Sequence, residues 1–305
     1  MAKRVLAVDI GGSKLMAAVV ETDGTIIDSR KMKLGPGTTE YEILSYIERM
    51  AEELRQSSGP VEAAGVNIPG LADPSRGLWV YTCFSGIRDF PIAELLRARL
   101  GLDISIENDA NACALAERRF GVCRNTSDYL WMTVSNGVGG GLVLGGQLYR
   151  GYYGSAAEVG HICVEEGGLP CSCGNLGCLE AQAAGPGISG RYALLNGGDL
   201  DAAAIAALAM QREPAALRVF EDTGRYLGKA ASYALNLLNL QKIVIGGGVA
   251  GSFELFYPQM MKTATMLVFR DANRHFTIEK TGLGYEAALL GAATTALDGI
   301  GRMAK

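Results

Sequence analysis

No block of basic residues occurs in this chain of 305 residues. Its 28 Lys and Arg are scattered among 32 Asp and Glu, giving a net charge of −4. A nucleic-acid partner bound through a basic face or tail is therefore not expected. Also missing is any stretch of about 18 apolar residues, so no membrane-spanning helix is expected. The N-terminus is no secretory leader: Met1 to Arg4 is basic, but the apolar run Val5 to Ile10 is short and contains Asp9. A disulfide framework is excluded as well. The seven cysteines (Cys83, Cys113, Cys123, Cys163, Cys171, Cys173 and Cys178) are odd in number, and three crowd into positions 171–178. That crowding points to a reducing, cytoplasmic setting and a metal site. Low-complexity linkers are absent too, so domains would be joined by a hinge.

The length suffices for two domains, each with its own core. Hydrophobic residues make up 49% and charged residues 20%, as in soluble globular proteins. Glycine is in excess, at 41 residues, and it falls in clusters. Such clusters read as tight turns and backbone-lined ligand loops. The pattern predicts strands at Val5–Ile10, Leu15–Glu21 and Thr25–Lys33, with turns at Gly11-Gly12 and Asp23-Gly24. Tyr41, Leu44, Ile47, Met50 and Leu54 recur at helical spacing. A buried strand, Val61–Ile68, ends at Pro69-Gly70. A helix near Pro91–Leu100 precedes a short strand, Asp103–Glu107, and a further helix starts near Asp109. The motif of strand, glycine turn, strand, turn and strand then repeats: Leu130–Ser135, Gly137–Gly141, Leu142–Leu144, Gly145-Gly146 and Gln147–Tyr149. This suggests a duplication. A stripe from Leu217 to Leu238 marks a long packed core helix, which leads into strand Ile243–Ile245 and Gly246-Gly247-Gly248.

Three glycine-rich places have the character of phosphate and nucleotide loops. In Asp9-Ile10-Gly11-Gly12-Ser13-Lys14, backbone N–H groups of a tight turn can face phosphate oxygens. Asp9 suits a hydrated Mg²⁺, and Ser13 and Lys14 suit phosphate; a plain hairpin is the other reading. The segment is not a Walker loop. The second loop, Ser135-Asn136-Gly137-Val138-Gly139-Gly140-Gly141, has four glycines in five positions. Glycine weakens a strand, so close approach of a ligand explains them better. Two such loops facing each other would clamp a polyphosphate. At Gly246–Gly248 the bare backbone suits a flat ring such as adenine. Next comes Glu107-Asn108-Asp109-Ala110-Asn111, where a strand ends and a helix begins. Asp109 reads either as a helix cap or as a carboxylate that accepts a proton from a sugar hydroxyl. Asn108 suits a pair of hydroxyls.

The most specific constellation is Glu158-Val159-Gly160-His161 followed by Cys171-Ser172-Cys173-Gly174-Asn175-Leu176-Gly177-Cys178-Leu179-Glu180. One His and three Cys make a tetrahedral zinc set, and because all come from one short segment the site reads as closed and structural. His161 and Cys163 compete for one place in it, and His161 with three thiols is the commoner arrangement. An imidazole on a metal presents its other nitrogen outward, where it can meet a sugar hydroxyl. Glu158 and Glu180 flank the set.

With these residues in view, the chain resembles the ROK family (repressors, open reading frames and kinases) over nearly its whole length. The resemblance rests on Asp9–Lys14, Pro69-Gly70, Asn108–Ala112, Gly137–Gly141, Glu158–His161, Cys171–Glu180 and Gly246–Gly248, in that order. It implies an α/β, actin-like ATPase fold: two ribonuclease-H-like domains around a cleft. Residues 1–116 and 290–305 would form the smaller domain, with the first phosphate loop and Asp109. Residues 117–289 would form the larger, with the second loop, the zinc site and the adenosine-binding glycines. The implied activity is ATP- and Mg²⁺-dependent phosphorylation of a hexose, glucose first, with an N-acetylhexosamine, fructose or another hexose as alternatives. By the same resemblance Asp109 is the catalytic base, and Gly70, Asn108, Glu158, His161 and Glu180 contact the sugar. Asp9, Gly11, Gly12, Ser13, Lys14, Asn136, Gly137, Gly247 and Gly248 serve ATP. His161, Cys171, Cys173 and Cys178 match the zinc ligands, and a homodimer is common in the family. Ser13 and Asn136 stand where Thr is usual, and Ala157 and Ala181–Ala184 also depart from common members. Two other classes compete: a sugar-responsive repressor and a non-catalytic sugar-binding protein. The repressors carry a helix-turn-helix domain before the first loop, for which the eight residues before Asp9 are too few. Retention of Asp109 and both loops argues against the non-catalytic reading.

Overall fold

A computed structural model describes residues 3–82 and 86–303; Cys83 lies outside them. The chain divides into two compact units. Residues 1–125, 151–155 and 286–305 form the first, and residues 126–150 and 156–285 the second.

The first unit opens with β1 (Arg4–Ile10), β2 (Lys14–Glu21) and β3 (Ile26–Lys33), an antiparallel meander. Every residue of β1 after Arg4 is buried, as expected of a strand covered on both faces. Helix α1 (Glu40–Ser58) follows, its start fixed by a capping box between Thr39 and Glu42. It buries Ile43, Leu44, Ile47, Met50 and Leu54. Strand β4 (Ala63–Ile68) then lies parallel to β1. Three short strands, β5 (Leu71–Asp73), β6 (Leu78–Tyr81) and β7 (Arg88–Phe90), make a separate antiparallel sheet. Helix α2 (Ile92–Leu100) leads to β8 (Asp103–Asn108), parallel to β4, and to α3 (Asp109–Arg119). The main sheet has the order β3-β2-β1-β4-β8.

The second unit repeats this plan. Strands β9 (Tyr129–Val134), β10 (Val138–Leu144) and β11 (Gln147–Leu148) form the meander. The glycines of 139–141, expected in a turn, are therefore strand residues. Helices α4 (Leu179–Ala183), α5 (Gly185–Asn196), α6 (Ala202–Met210) and α7 (Pro214–Leu238) follow. Strand β12 (Lys242–Gly246) runs parallel to β9, α8 (Phe253–Leu267) comes next, and β13 (Thr277–Lys280) runs parallel to β12. The sheet order is β11-β10-β9-β12-β13, strand for strand that of the first unit. The stripe on α7 includes Gly224 because a side chain there would strike the α8 backbone at Phe256 and Met260, and Gly228, one turn on and outside the expected stripe, meets the Met260 carbonyl in the same way. Helix α9 (Ala287–Met303) returns to the first unit and packs on α3 and β4. Two sheets of one connectivity, each with three antiparallel and two parallel strands, make the duplicated ribonuclease-H-like architecture of the actin-like ATPase fold. No helix among the described residues is long and apolar enough to cross a membrane.

Candidate functional site

In the first unit the candidate residues gather at the ends of β1, β4 and β8. Asp9 is buried near the end of β1, beside Asn67 of β4. Asn67 Nδ2 donates to Asp9 Oδ1 (3.2 Å) and to the Ala288 carbonyl (2.7 Å), while Asn67 Oδ1 is buried with no partner. Burial pushes the Asp9 carboxyl above its usual range, opposed by the Asn67 hydrogen bond and by the charge of Lys14. The turn itself is tied by the Gly11 N–H to the Lys14 carbonyl (2.8 Å), and Gly12 and Ser13 stand exposed at its tip.

At the start of α3 the cap is Asn108, not Asp109. Asn108 Oδ1 accepts from the Asn111 N–H (3.1 Å), and its Nδ2 donates to the Gly70 carbonyl (2.9 Å) and to Asp109 Oδ1 (3.1 Å). Asp109 occupies the first turn, where Oδ1 also accepts from the Ala110 N–H (2.8 Å). The structure thus brings Gly70, Asn108 and Asp109 together. Gly70 has φ +82°, and a side chain there would meet the Tyr81 carbonyl.

In the second unit, His161 closes a single 3-10 turn, Val159–His161. His161, Cys171, Cys173 and Cys178 offer ligand atoms that all lie within 4.8 Å of one another. Cys171 Sγ is 3.6 Å from His161 Nδ1, and Cys173 Sγ is 3.6 Å from Cys178 Sγ. Thiolates on a tetrahedral zinc with bonds of about 2.3 Å sit roughly 3.8 Å apart, so the donor set fits that ion. Cys163 is exposed and outside the cluster; only its backbone bridges to Cys178. The backbone N–H of Asn175, and then Cys171, lower the Cys173 thiol to about 7, whereas burial raises that of Cys178. With Nδ1 turned to the sulfurs, His161 Nε2 faces Glu158 Oε2 at 4.0 Å. Glu158 is raised above the ordinary carboxyl range by loss of solvation; His161 opposes the shift and Glu180 adds to it.

Glu180 stands in the first turn of α4 and reaches the second glycine loop: its Oε2 accepts from the Val138 N–H (3.1 Å). A Cβ at Gly137 would press on that oxygen, so a side chain there would displace the Glu180 carboxylate. Gly140 answers to packing: its open face meets the Ala157 carbonyl and the Val159 side chain. Gly140→Val should therefore cost about 1–3 kcal/mol by overpacking, read as a lower unfolding midpoint. Ala157 itself has φ +69°, a left-handed conformation that costs an L-residue about 1–2 kcal/mol. Ala157→Gly should stabilise by about 0.5–1 kcal/mol after the greater freedom of glycine in the unfolded chain is offset; a lowered midpoint in thermal melts would contradict this.

A cavity of about 600 Å³ lies within the second unit. Ala202, Ala206, Phe220 and Val249 give it an apolar wall, and Asn136, Ser189, Asp201 and Gly248 also line it. It joins Asn136 of the second loop to Gly248 of the third cluster. Gly247, just before, has φ +86° and abuts the Val134 carbonyl. Sequence reasoning missed Ser189 and the α6 wall; the alanine-rich run 202–209 was the available signal.

The ROK family model matches residues 5–298. A glucokinase from Streptomyces coelicolor is 31% identical, covering 95% of this chain and 96% of its own. A putative xylose repressor from Caldicellulosiruptor is 28% identical, covering 94% of this chain and 76% of its own. The crystal structure of a ROK family glucokinase from Streptomyces griseus, in complex with glucose and AMPPNP, superposes with a TM-score of 0.84 at 30% identity, covering 97% of this chain and 99% of that one. Donor set, duplicated sheets and a match spanning both units lead to one assignment: the chain belongs to the ROK family.

Proposed function

We propose that glucose is the hexose that this ATP-dependent ROK-family sugar kinase phosphorylates. The observation that carries the nucleotide half of the reading is the cavity of about 600 Å³ that both Asn136 and Gly248 line. An apolar wall with a few polar groups suits an adenine nucleoside, and Gly247 and Gly248 let the ring approach the backbone. Asn136 and Gly137 then serve phosphate oxygens, as do Gly11, Gly12, Ser13 and Lys14. Asp9 would hold a hydrated Mg²⁺, which would supply positive charge to the phosphate oxygens.

Asp109 accepts the proton of the attacking hydroxyl, and Gly70, Asn108, Glu158, His161 and Glu180 hold the sugar. Positioning and electrostatic stabilisation carry most of phosphoryl transfer, so a carboxylate at a fixed helix start suits the role. One Zn²⁺ held by His161, Cys171, Cys173 and Cys178 braces the loop that ends at Glu180. The two compact units of the fold serve as the working partition, and the working assembly is a homodimer. Nucleic acid is left out of the partners because net charge is −4 and no basic block exists.

The test is ADP release with Mg·ATP over a panel of hexoses and N-acetylhexosamines. Glucose should give the highest kcat/KM. A tenfold preference for another sugar would move the substrate assignment, and silence across the panel would remove the kinase reading.

A further inference from the structure

Glu180 has two attachments, and they lead in different directions. Its Oε1 accepts from Ser172 Oγ (3.3 Å) and lies 4.0 Å from Cys171 Sγ, both in the cysteine loop. Its Oε2 accepts from the Val138 N–H (3.1 Å), at the first residue of β10. The turn just before, residues 135–138, is held again from behind. The Gly185 N–H, at the start of α5, donates to the Ser135 carbonyl (2.8 Å), and the Ser135 N–H donates to the Gly137 carbonyl (2.9 Å). Ser135 and Asn136 line the cavity. Helix α4 is five residues long and begins directly after Cys178, which ties it to the cysteine loop, while Leu179 and Ala183 seat it in the core. The bare Cα of Gly137 lets the carboxylate come this close.

We propose that Glu180 is a positioning residue for the nucleotide: its carboxylate fastens the cysteine loop to the backbone of the Ser135–Val138 turn. The order of that loop is thereby passed to the surface that takes the nucleotide. The inference rests on the reading of the cavity as an adenine-nucleotide site. It gives Glu180 a second task, separate from sugar contact, and depends on reach rather than on charge. Glutamine has the same length and an acceptor oxygen for the Val138 N–H. Aspartate keeps the charge but is one methylene too short.

ADP affinity measured by calorimetry on the intact, metal-replete protein separates these cases. Loss of a partly buried hydrogen bond from a backbone N–H to a carboxylate should weaken ADP about tenfold in both Glu180→Ala and Glu180→Asp, with Glu180→Gln within about threefold of wild type. Amide exchange at Val138 should quicken in the first two and stay slow in the third. Unchanged ADP affinity in Glu180→Asp overturns the proposal, as does a Glu180→Gln as weak as Glu180→Ala. Should Glu180→Ala fail to fold, the Asp and Gln pair still decides. A wild-type protein that binds no ADP removes the nucleotide reading itself, whereas a wild type that binds ADP as tightly as Glu180→Asp does removes only this inference.

Discussion

Asp109→Asn should lower kcat by about 10²- to 10⁴-fold, the usual worth of a general base, with folding and sugar affinity retained. The structure makes this a clean exchange. Helix α3 is capped by Asn108, whose Oδ1 takes the Asn111 N–H. At the helix start Asp109 Oδ1 accepts from the Ala110 N–H and from Asn108 Nδ2. The amide oxygen of asparagine accepts both of these bonds as well. What disappears is the anionic oxygen able to take a proton. Single-turnover phosphorylation, sugar affinity by calorimetry and a thermal melt together check the prediction. Near-normal turnover would reduce Asp109 to a first-turn acid that favours the helix dipole.

Where a mostly apolar run leads into a glycine-containing loop, the sequence was enough. β1 and β9 are of that kind, and the doubled meander could be seen before any coordinates. The Gly137–Gly141 run was harder. Glycine signals a turn, a ligand or a crowded neighbour alike, and here the crowding lies about twenty residues downstream, at Ala157 and Val159. Helix α6 escaped notice because Ala202–Met210 has no polar face, so no period of 3.6 stands out. Helix α8 carries Pro258 in its interior, normally a breaker. Strands β5, β6 and β7, of three or four residues, are too short to show a period. The metal donors were legible because their spacing is local, ten residues from His161 to Cys171 and seven from there to Cys178. The bond from Val138 N to Glu180 spans 42 residues and leaves no such trace.

Cys173→Ser should take the zinc content from about one per chain to near zero, since a closed structural site needs its four ligands. Cys173 is exposed, so the substitution leaves no cavity and any loss of order is due to the metal. Without it, the 3.6 Å contact between Cys171 and His161 Nδ1 is what holds that ring by its inner nitrogen among the described residues. The outward nitrogen toward Glu158 then loses its fixed direction, and the KM for sugar should rise about tenfold, as when the support around a metal ligand is cut. Taken alone, the sequence would leave nucleotide affinity untouched, because a closed metal site has no reason to meet phosphate. The hydrogen bond between Glu180 and Val138 changes that expectation: ADP affinity should fall alongside, by about the factor expected for Glu180→Asp. Metal analysis of protein purified under reducing conditions without added zinc is the first measurement. A zinc-free wild type that is folded and active would falsify the site, leaving the three sulfurs as ordinary thiols, with Glu180 and the Gly185 N–H still bracing the second loop.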